Sequence, residues 1–308
     1  MSVAVANTPT ALPDLEARVA DKNYSCTSMV VTVFGDTVSQ HNGWIWLGSL
    51  IKALDLMGYS ERLVRTAVYR LVQQDWLQAK KIGRRSYYRF TGMADAQYEK
   101  AARRIYAPTQ PHWDGTWTLV SPVMVPDEKR DLLRKSLLWQ GYNTLLTGLF
   151  AHPSSDRTSL NETLEEQNLA DKVLVFSAVT NDALSAALLR EVAQHKWNLD
   201  ELQGMYQEFF SFYRAIDASL DADNIDPQSA FVLRTLLIHE YRRILLRDPD
   251  FPEAVLPADW AGQNAQALTR RIYRKLITSS LSYVQANLQN ADGALPEATA
   301  TFQRRFTV

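Results

Sequence analysis

The sequence predicts an α+β protein of several domains, and three observations carry that expectation. The chain has 308 residues, more than one hydrophobic core ordinarily organises. Residues 25–92 and 113–180 alternate helical stretches with short β-rich runs, and from residue 181 onward a helical period dominates. Hydrophobic residues make up 46% and charged residues 22%, enough apolar material for real cores.

Residues 1–24 are rich in Ala and Val, meet their first cation at Arg18 and hold no sustained apolar core. They are expected to be a flexible arm rather than a signal peptide. No stretch approaches the roughly 18 apolar residues of a membrane span, so no membrane association is expected. Cys26, the single cysteine, rules out an internal disulfide framework and a Cys-rich zinc module, and fits a reducing cytoplasm.

Between residues 25 and 92, “SMVVTVFGDTVSQ” offers a buried helix, “HNG” at 41–43 a turn, and “WIWL” at 44–47 a short strand. “GSLIKALDLMG” places Leu50, Ile51, Leu54 and Met57 at helical spacing, with Gly58 to stop the helix. A further helix starts after Ser60, an N-cap candidate. Leu63, Val64, Ala67, Val68, Leu71 and Val72 are expected on its packed side. Arg62, Arg65, Thr66 and Tyr69 fall on the other, with Arg70 near them.

“WLQAKKIGRRSYYRF” follows. Leu77–Ala79 and Ser86–Phe90 can pair as a hairpin with “KKIGRR” at its tip, where Gly83 supplies the turn. The pattern is that of a winged helix-turn-helix. Between Gly48 and Phe90 nine cations face three anions, while the whole chain carries a net charge of only −1. A basic patch on an acidic body fits a polyanion-binding module. The expected partner is double-stranded DNA. Arg62, Arg65, Thr66, Tyr69 and Arg70 would meet the major groove. Lys80, Lys81, Arg84, Arg85 and Tyr87 would serve the wing, its cations on phosphates or in a minor groove.

Residues 93–112 read as a connecting helix and linker. From 113 to 180 the order is β-α-β-β-α-β, which is ferredoxin-like. Pro126 opens the first of its helices, Ser159 with Glu162 suggests a capping box for the second, and “KVLVFSAVT” is expected to close as a buried strand. Residues 181–308 are expected to be mostly helical, with segments near 182–194, 199–219, 227–246 and 262–290. “RDPDFPEAVLPADWAG” breaks them as a compact ordered loop. Ile272, Leu276, Leu281, Val284 and Leu288 form a stripe that is either internal core or a dimer seam. A homodimer is expected, because one reading helix serves one half-site of a palindrome.

No Gly-rich phosphate loop, G-x-S-x-G or H-E-x-x-H is present, and the five histidines lack metal-ligand spacing. No catalytic residue, metal or cofactor is therefore expected. “HEYRR” sets His239 and Arg243 on one helical face, either as a buried network with Asp248 or as a polar floor of a pocket.

Long blocks carry a resemblance: “TVFGDTVSQHNGWIWLGSLIKAL”, “ERLVRTAVYRL”, “DWLQAKKIGRRSYYRF”, “RIYAPTQPHWDGTWTLV”, “LLWQGYNTL”, “LLIHEYRRILLRDPDFPEAVLPADWAGQNAQAL” and the terminal “FQRRF”. They resemble the PaaX family, transcriptional repressors of phenylacetate catabolism. The resemblance implies a repressor released from its operator by phenylacetyl-coenzyme A, with a middle domain like the CRISPR-associated Cas2 nucleases. The rival reading is a metal-dependent nucleic-acid-processing protein, but the first middle strand offers Ser121 and Pro122 near its end, with Asp127 only in the next helix.

An acyl-coenzyme A effector needs an aromatic pocket and a cationic mouth. The candidates are His239, Arg242, Arg243, Trp260, Trp197, Tyr206 and Arg271, with the ligand expected between the middle and C-terminal domains. Trp197, Tyr206 and Trp260 have plain core as their alternative.

Overall fold

The computed structural model describes residues 12–106, 113–153 and 157–306. In chain order its elements begin α1 (Leu12–Lys22), α2 (Cys26–Asp36), β1 (Ile45–Trp46), α3 (Leu47–Asp55), α4 (Glu61–Gln73), β2 (Leu77–Ile82), β3 (Arg85–Phe90) and α5 (Gly92–Ile105). Next come β4 (Trp117–Ser121), α6 (Asp127–Trp139), β5 (Asn143–Leu146), β6 (Leu149–Pro153), α7 (Arg157–Glu166) and β7 (Leu174–Ala178). The last part holds α8 (Ala183–Lys196), α9 (Leu199–Ser219), α10 (Pro227–Leu245), α11 (Gly262–Asn287), β8 (Gln289–Asn290), β9 (Gly293–Ala294) and α12 (Ala300–Gln303). The four helical segments expected after residue 181 are all formed, with ends within a few residues of the expectation.

Two compact units are present. The first comprises Met1–Pro108, Phe209–Arg242 and Asn264–Val308, and the second Thr109–Glu208 and Arg243–Gln263. The region expected as one helical domain at 181–308 is thus divided between them. Pro108 and Pro111, the prolines that follow the connecting helix in sequence, lie outside the described residues.

In the first unit a three-stranded antiparallel sheet has the order β1-β3-β2. The hairpin is longer than expected. Pairing runs from Leu77–Phe90 out to Ile82–Arg85, so only Gly83 and Arg84 remain for the turn. Gly83 sits there at φ +58°, a left-handed conformation that a side chain would oppose. Lys80, Lys81 and Arg85 are therefore strand residues with fixed faces, not loop residues.

Helix α4 buries Val64, Ala67, Val68 and Leu71. Leu63, expected beside them, is 53% exposed, and Val72 is only partly covered. At about 100° per residue both lie roughly a quarter turn from the stripe's centre, beyond its packed edge.

The expectation of a flexible arm is corrected for residues 12–22, which form α1. Leu15 is buried, and Arg18 makes a two-pronged pair with Glu240 of α10 (Nη2–Oε2 2.6 Å, Nε–Oε1 2.9 Å) while lying over the Phe212 ring. An arm with a buried Leu and a paired Arg has reason to stay docked. Residues 1–11 lie outside the described residues.

The expected stripe on α11 resolves as internal core. Ile272, Leu276, Val284 and Leu288 are buried within the chain itself, and Leu281 is half-buried. They leave no apolar seam there for a partner.

In the second unit the expected β-α-β-β-α-β order gives a four-stranded antiparallel sheet, β5-β6-β4-β7. Val120 and Phe150 of the sheet pack with Leu133 and Leu137 of α6 and with Leu160 and Leu164 of α7. Pro126 precedes α6 as expected, at its N-cap. Two expectations differ. Ser159 lies inside α7, which already begins at Arg157, so it is not the cap. β7 is an edge strand with Leu174 and Phe176 half-exposed rather than a buried strand, because only β4 borders it. The 247–262 loop is compact, with Phe251 and Val255 buried.

Candidate nucleic-acid interface

Helix α4 begins where the Ser60 hydroxyl accepts a hydrogen bond from the Leu63 amide at 3.4 Å. The cap sets the helix phase, and the phase puts Arg62, Arg65, Thr66, Tyr69 and Arg70 on the exposed side. Tyr69 is 65% exposed, an unusual position for a large aromatic ring with no partner to cover it. Arg65 pairs with Glu61 one turn back (2.7 Å), both side chains exposed, a contact weak enough to be exchanged for a better one. Thr66 returns its hydroxyl to the Arg62 carbonyl at 2.9 Å, so its methyl is the group left for recognition.

The hairpin adds its charge nearby in sequence and in the same unit. Lys80, Lys81, Arg84 and Arg85 are all exposed. Tyr87 is not. It is 5% exposed, on the central strand β3 opposite both Lys80 and Trp46, so it anchors the hairpin within the sheet rather than offering its ring to a ligand.

Sequence reasoning missed three partners on that sheet face. Pairing sets Trp46, Tyr87 and Lys80 side by side, with Arg85 and Arg89 two residues to either side of Tyr87. The Arg85 guanidinium lies over the Trp46 ring at 4.3 Å and that of Arg89 over Trp44 at 5.5 Å. Strand alternation could have found them, since Arg85, Tyr87 and Arg89 share a face by their period of two.

The effector candidates are divided between the two units. His239, Arg242 and Arg271 belong to the first unit, and Trp197, Tyr206, Arg243 and Trp260 to the second. His239 is fully buried, its Nδ1 is 2.8 Å from the Thr32 hydroxyl and its ring meets Tyr24 edge-on. Of the two alternatives left open for it, burial favours the structural one over the pocket floor: α10 is enclosed along most of its length, so its polar groups bond inside. Asp248 accepts from Tyr206 at 2.8 Å. Tyr206 is buried edge-on to Trp260, and Trp197 donates to the Gly141 carbonyl at 2.7 Å while packing on Trp117 and Phe251. These two are core, the alternative left open above. Arg242 donates to Ser28, and Arg271 pairs with Asp217 at 2.7 Å. Arg243 is exposed and Trp260 half-buried.

Among the described residues no group of three or more His, Cys, Asp or Glu side chains is placed to hold a metal ion. None of the described helices is long and apolar enough to cross a membrane.

Comparison with known proteins matches three consecutive parts of the chain to family models. Residues 25–94 match the PaaX-like protein, 110–189 the PaaX protein central Cas2-like domain, and 197–286 the PaaX-like protein C-terminal domain. The chain is 37% identical over 284 residues to a protein named Transcriptional repressor PaaX of Escherichia coli (strain K12), covering 92% of this chain and 90% of the relative. Its fold is similar to the uncharacterized protein Rv0674 from Mycobacterium tuberculosis, with TM-score 0.52 and 20% identity over 81% of this chain and 96% of that one. A relationship this long, with family models running from the basic hairpin through the four-stranded sheet to α11, places the chain in the PaaX family.

Proposed function

We propose that this chain is a DNA-binding transcriptional repressor whose residues 25–92 act as a winged helix, with α4 as reading helix and β2–β3 as wing. The single observation that carries the reading is the exposed Arg62–Arg65–Tyr69 face of α4 in the same unit as a cationic hairpin. The name of the Escherichia coli relative supports it. Arginine forks suit guanine edges, and the wing cations suit phosphates. The second unit, with its split β-α-β strand order, is read as a ferredoxin-like body in a non-catalytic role.

The proposed effector is phenylacetyl-coenzyme A, on the strength of family membership. Arg243 and Trp260 are its proposed contacts, being candidates of one unit whose side chains retain exposure. Release from DNA requires the ligand to bind better to a conformer that no longer fits the operator, because equal affinity shifts nothing. A homodimer on a palindromic operator completes the proposal.

Selection of bound duplexes from a random pool tests the reading. It is expected to return a palindrome whose complex with the protein has the mass of two chains. A selected pool no different from the input would overturn the DNA reading, and one chain per duplex the dimer. Calorimetry with phenylacetyl-coenzyme A and with free phenylacetate is expected to show binding of the thioester only. Equal binding of both removes the coenzyme A end from recognition.

A further inference from the structure

On the sheet face that carries Tyr87, the wing arginines rest on tryptophans, and one of those tryptophans rests on a glycine. A Cβ at Gly48 would come within 2.4 Å of the Trp46 ring. The indole therefore lies flat against the first turn of α3, on a spot no other residue leaves open. Its strand position is fixed as well, since Trp46 pairs with Tyr87 across β1 and β3. Over this ring lies Arg85, at 4.3 Å. Arg89, two residues along the same strand face, lies over Trp44 at 5.5 Å.

A free arginine side chain samples many rotamers, and holding it still to meet a phosphate costs about 0.5–1.5 kcal/mol. A guanidinium laid on an indole face has lost much of that freedom before DNA arrives, while its edge N–H groups remain free to donate. Lysine would not serve equally, because an ammonium has no plane to stack.

We infer that Trp46, seated by Gly48, is a positioning residue for DNA binding, one that holds Arg85 in the orientation in which it meets a backbone phosphate; Trp44 does the same for Arg89. The inference rests on the winged-helix reading above and names how that site is preorganised. It also assigns Arg89 to the contact surface and gives Tyr87 its place as the buried spacer between the two stacks.

The test uses the full-length protein, random-sequence DNA duplexes and a series of salt concentrations, since phosphate contacts need no particular sequence. Trp46→Leu is expected to weaken binding about two- to tenfold, the preorganisation cost converted to affinity, with the salt slope unchanged because no phosphate contact is deleted. Trp46→Phe, which keeps an aromatic face, is expected to recover most of the loss. Arg85→Ala is expected to lower the salt slope by about one contact. In the Arg85→Ala background the further change Trp46→Leu is expected to have no effect on affinity. Equal losses from Trp46→Leu with and without Arg85 would overturn the inference, and so would a loss in Trp46→Phe as large as in Trp46→Leu. Because thermal unfolding of each variant is measured alongside, a misfolded Trp46→Leu is recognised. Gly48→Ala, which moves the indole and keeps it, is then read in its place, with the same two- to tenfold loss expected and parent-like affinity overturning the inference. Unaltered affinity and salt slope in Arg85→Ala would instead bring down the winged-helix reading, which separates the two failures.

Discussion

Asp36 and Arg305, 269 positions apart, meet at 3.0 Å between Oδ1 and Nη1 with both side chains buried. Around that carboxylate gather the Tyr106 hydroxyl at 2.6 Å, the Tyr273 hydroxyl at 3.1 Å and, at its other oxygen, Arg234 Nε at 3.1 Å. Arg305 also donates to the Gly35 carbonyl and the Tyr98 hydroxyl, and Arg234 to the Thr37 hydroxyl. One carboxylate at the end of α2 thus serves two buried guanidiniums, one from α10 and one from the residues after α12.

Replacing Asp36 by Asn leaves both guanidiniums buried without a counter-charge. Removal of one partner from a buried ion pair typically costs about 3–5 kcal/mol. Asp36→Asn is therefore expected to lower the unfolding free energy by that order, read from the urea midpoint, with far less effect from Asp131→Asn, whose partners Arg134 and Lys135 are all solvent-exposed. Matching midpoints in the two variants would refute the hub.

His41 lies beside this hub and supplies a pH dependence. It is fully buried, donates from Nδ1 to the Pro296 carbonyl at 2.6 Å, and has no hydrogen-bond partner at Nε2. Burial lowers its pKa, and nearby Arg234 and Arg305 push the same way against the Pro296 carbonyl and Asp36. The folded protein thus resists the proton that the unfolded chain accepts near pH 6.5. This contribution to stability is fully present above about pH 6.5 and is lost as pH falls toward the lowered folded value. His41→Gln is expected to flatten the stability profile below pH 6.5, read from denaturation midpoints between pH 5 and 8. An unchanged slope would exclude His41 as its source.

The helices after residue 181, the strand order of the second unit and the two-faced α4 were legible because each follows from a period or a cap. Long-range polar pairing was not. Arg305 and Arg234 look like surface cations in sequence, and nothing local marks Asp36 as their partner. His239 was left between two readings for the same reason: a His and an Arg four apart define a helix face but not what covers it. The hairpin tip was misjudged by counting “KKIGRR” as loop, when a glycine at the first turn position lets the strands run to its edge. Two aromatic residues in “WIWL” read as strand formers, and only the register with β3 gives their rings something to hold.

On α4, Arg62→Ala and Arg65→Ala are each expected to cost about 1–3 kcal/mol on a selected operator and to relax preference at one base pair, with little change on random duplexes. Competition between operator and single-substitution duplexes reads this directly. Losses of equal size on every sequence would make these residues phosphate contacts and move base reading elsewhere.

The wing should behave in the opposite way. Lys80, Lys81, Arg84 and Arg85 are exposed along one hairpin whose turn is only two residues long, so their spacing is set by strand geometry. Each phosphate neutralised contributes about 0.9 to the slope of log affinity against log salt concentration. The Arg84→Ala, Arg85→Ala double variant is therefore expected to flatten that slope by about two contacts and to weaken operator and random duplexes in similar proportion. At low salt, where counterion release is strongest, the parent should exceed the variant most, and the two curves should converge as salt rises. A variant that binds as tightly as the parent across the salt series would remove the hairpin from the interface, leaving α4 without the neighbour that fixes its register on the duplex.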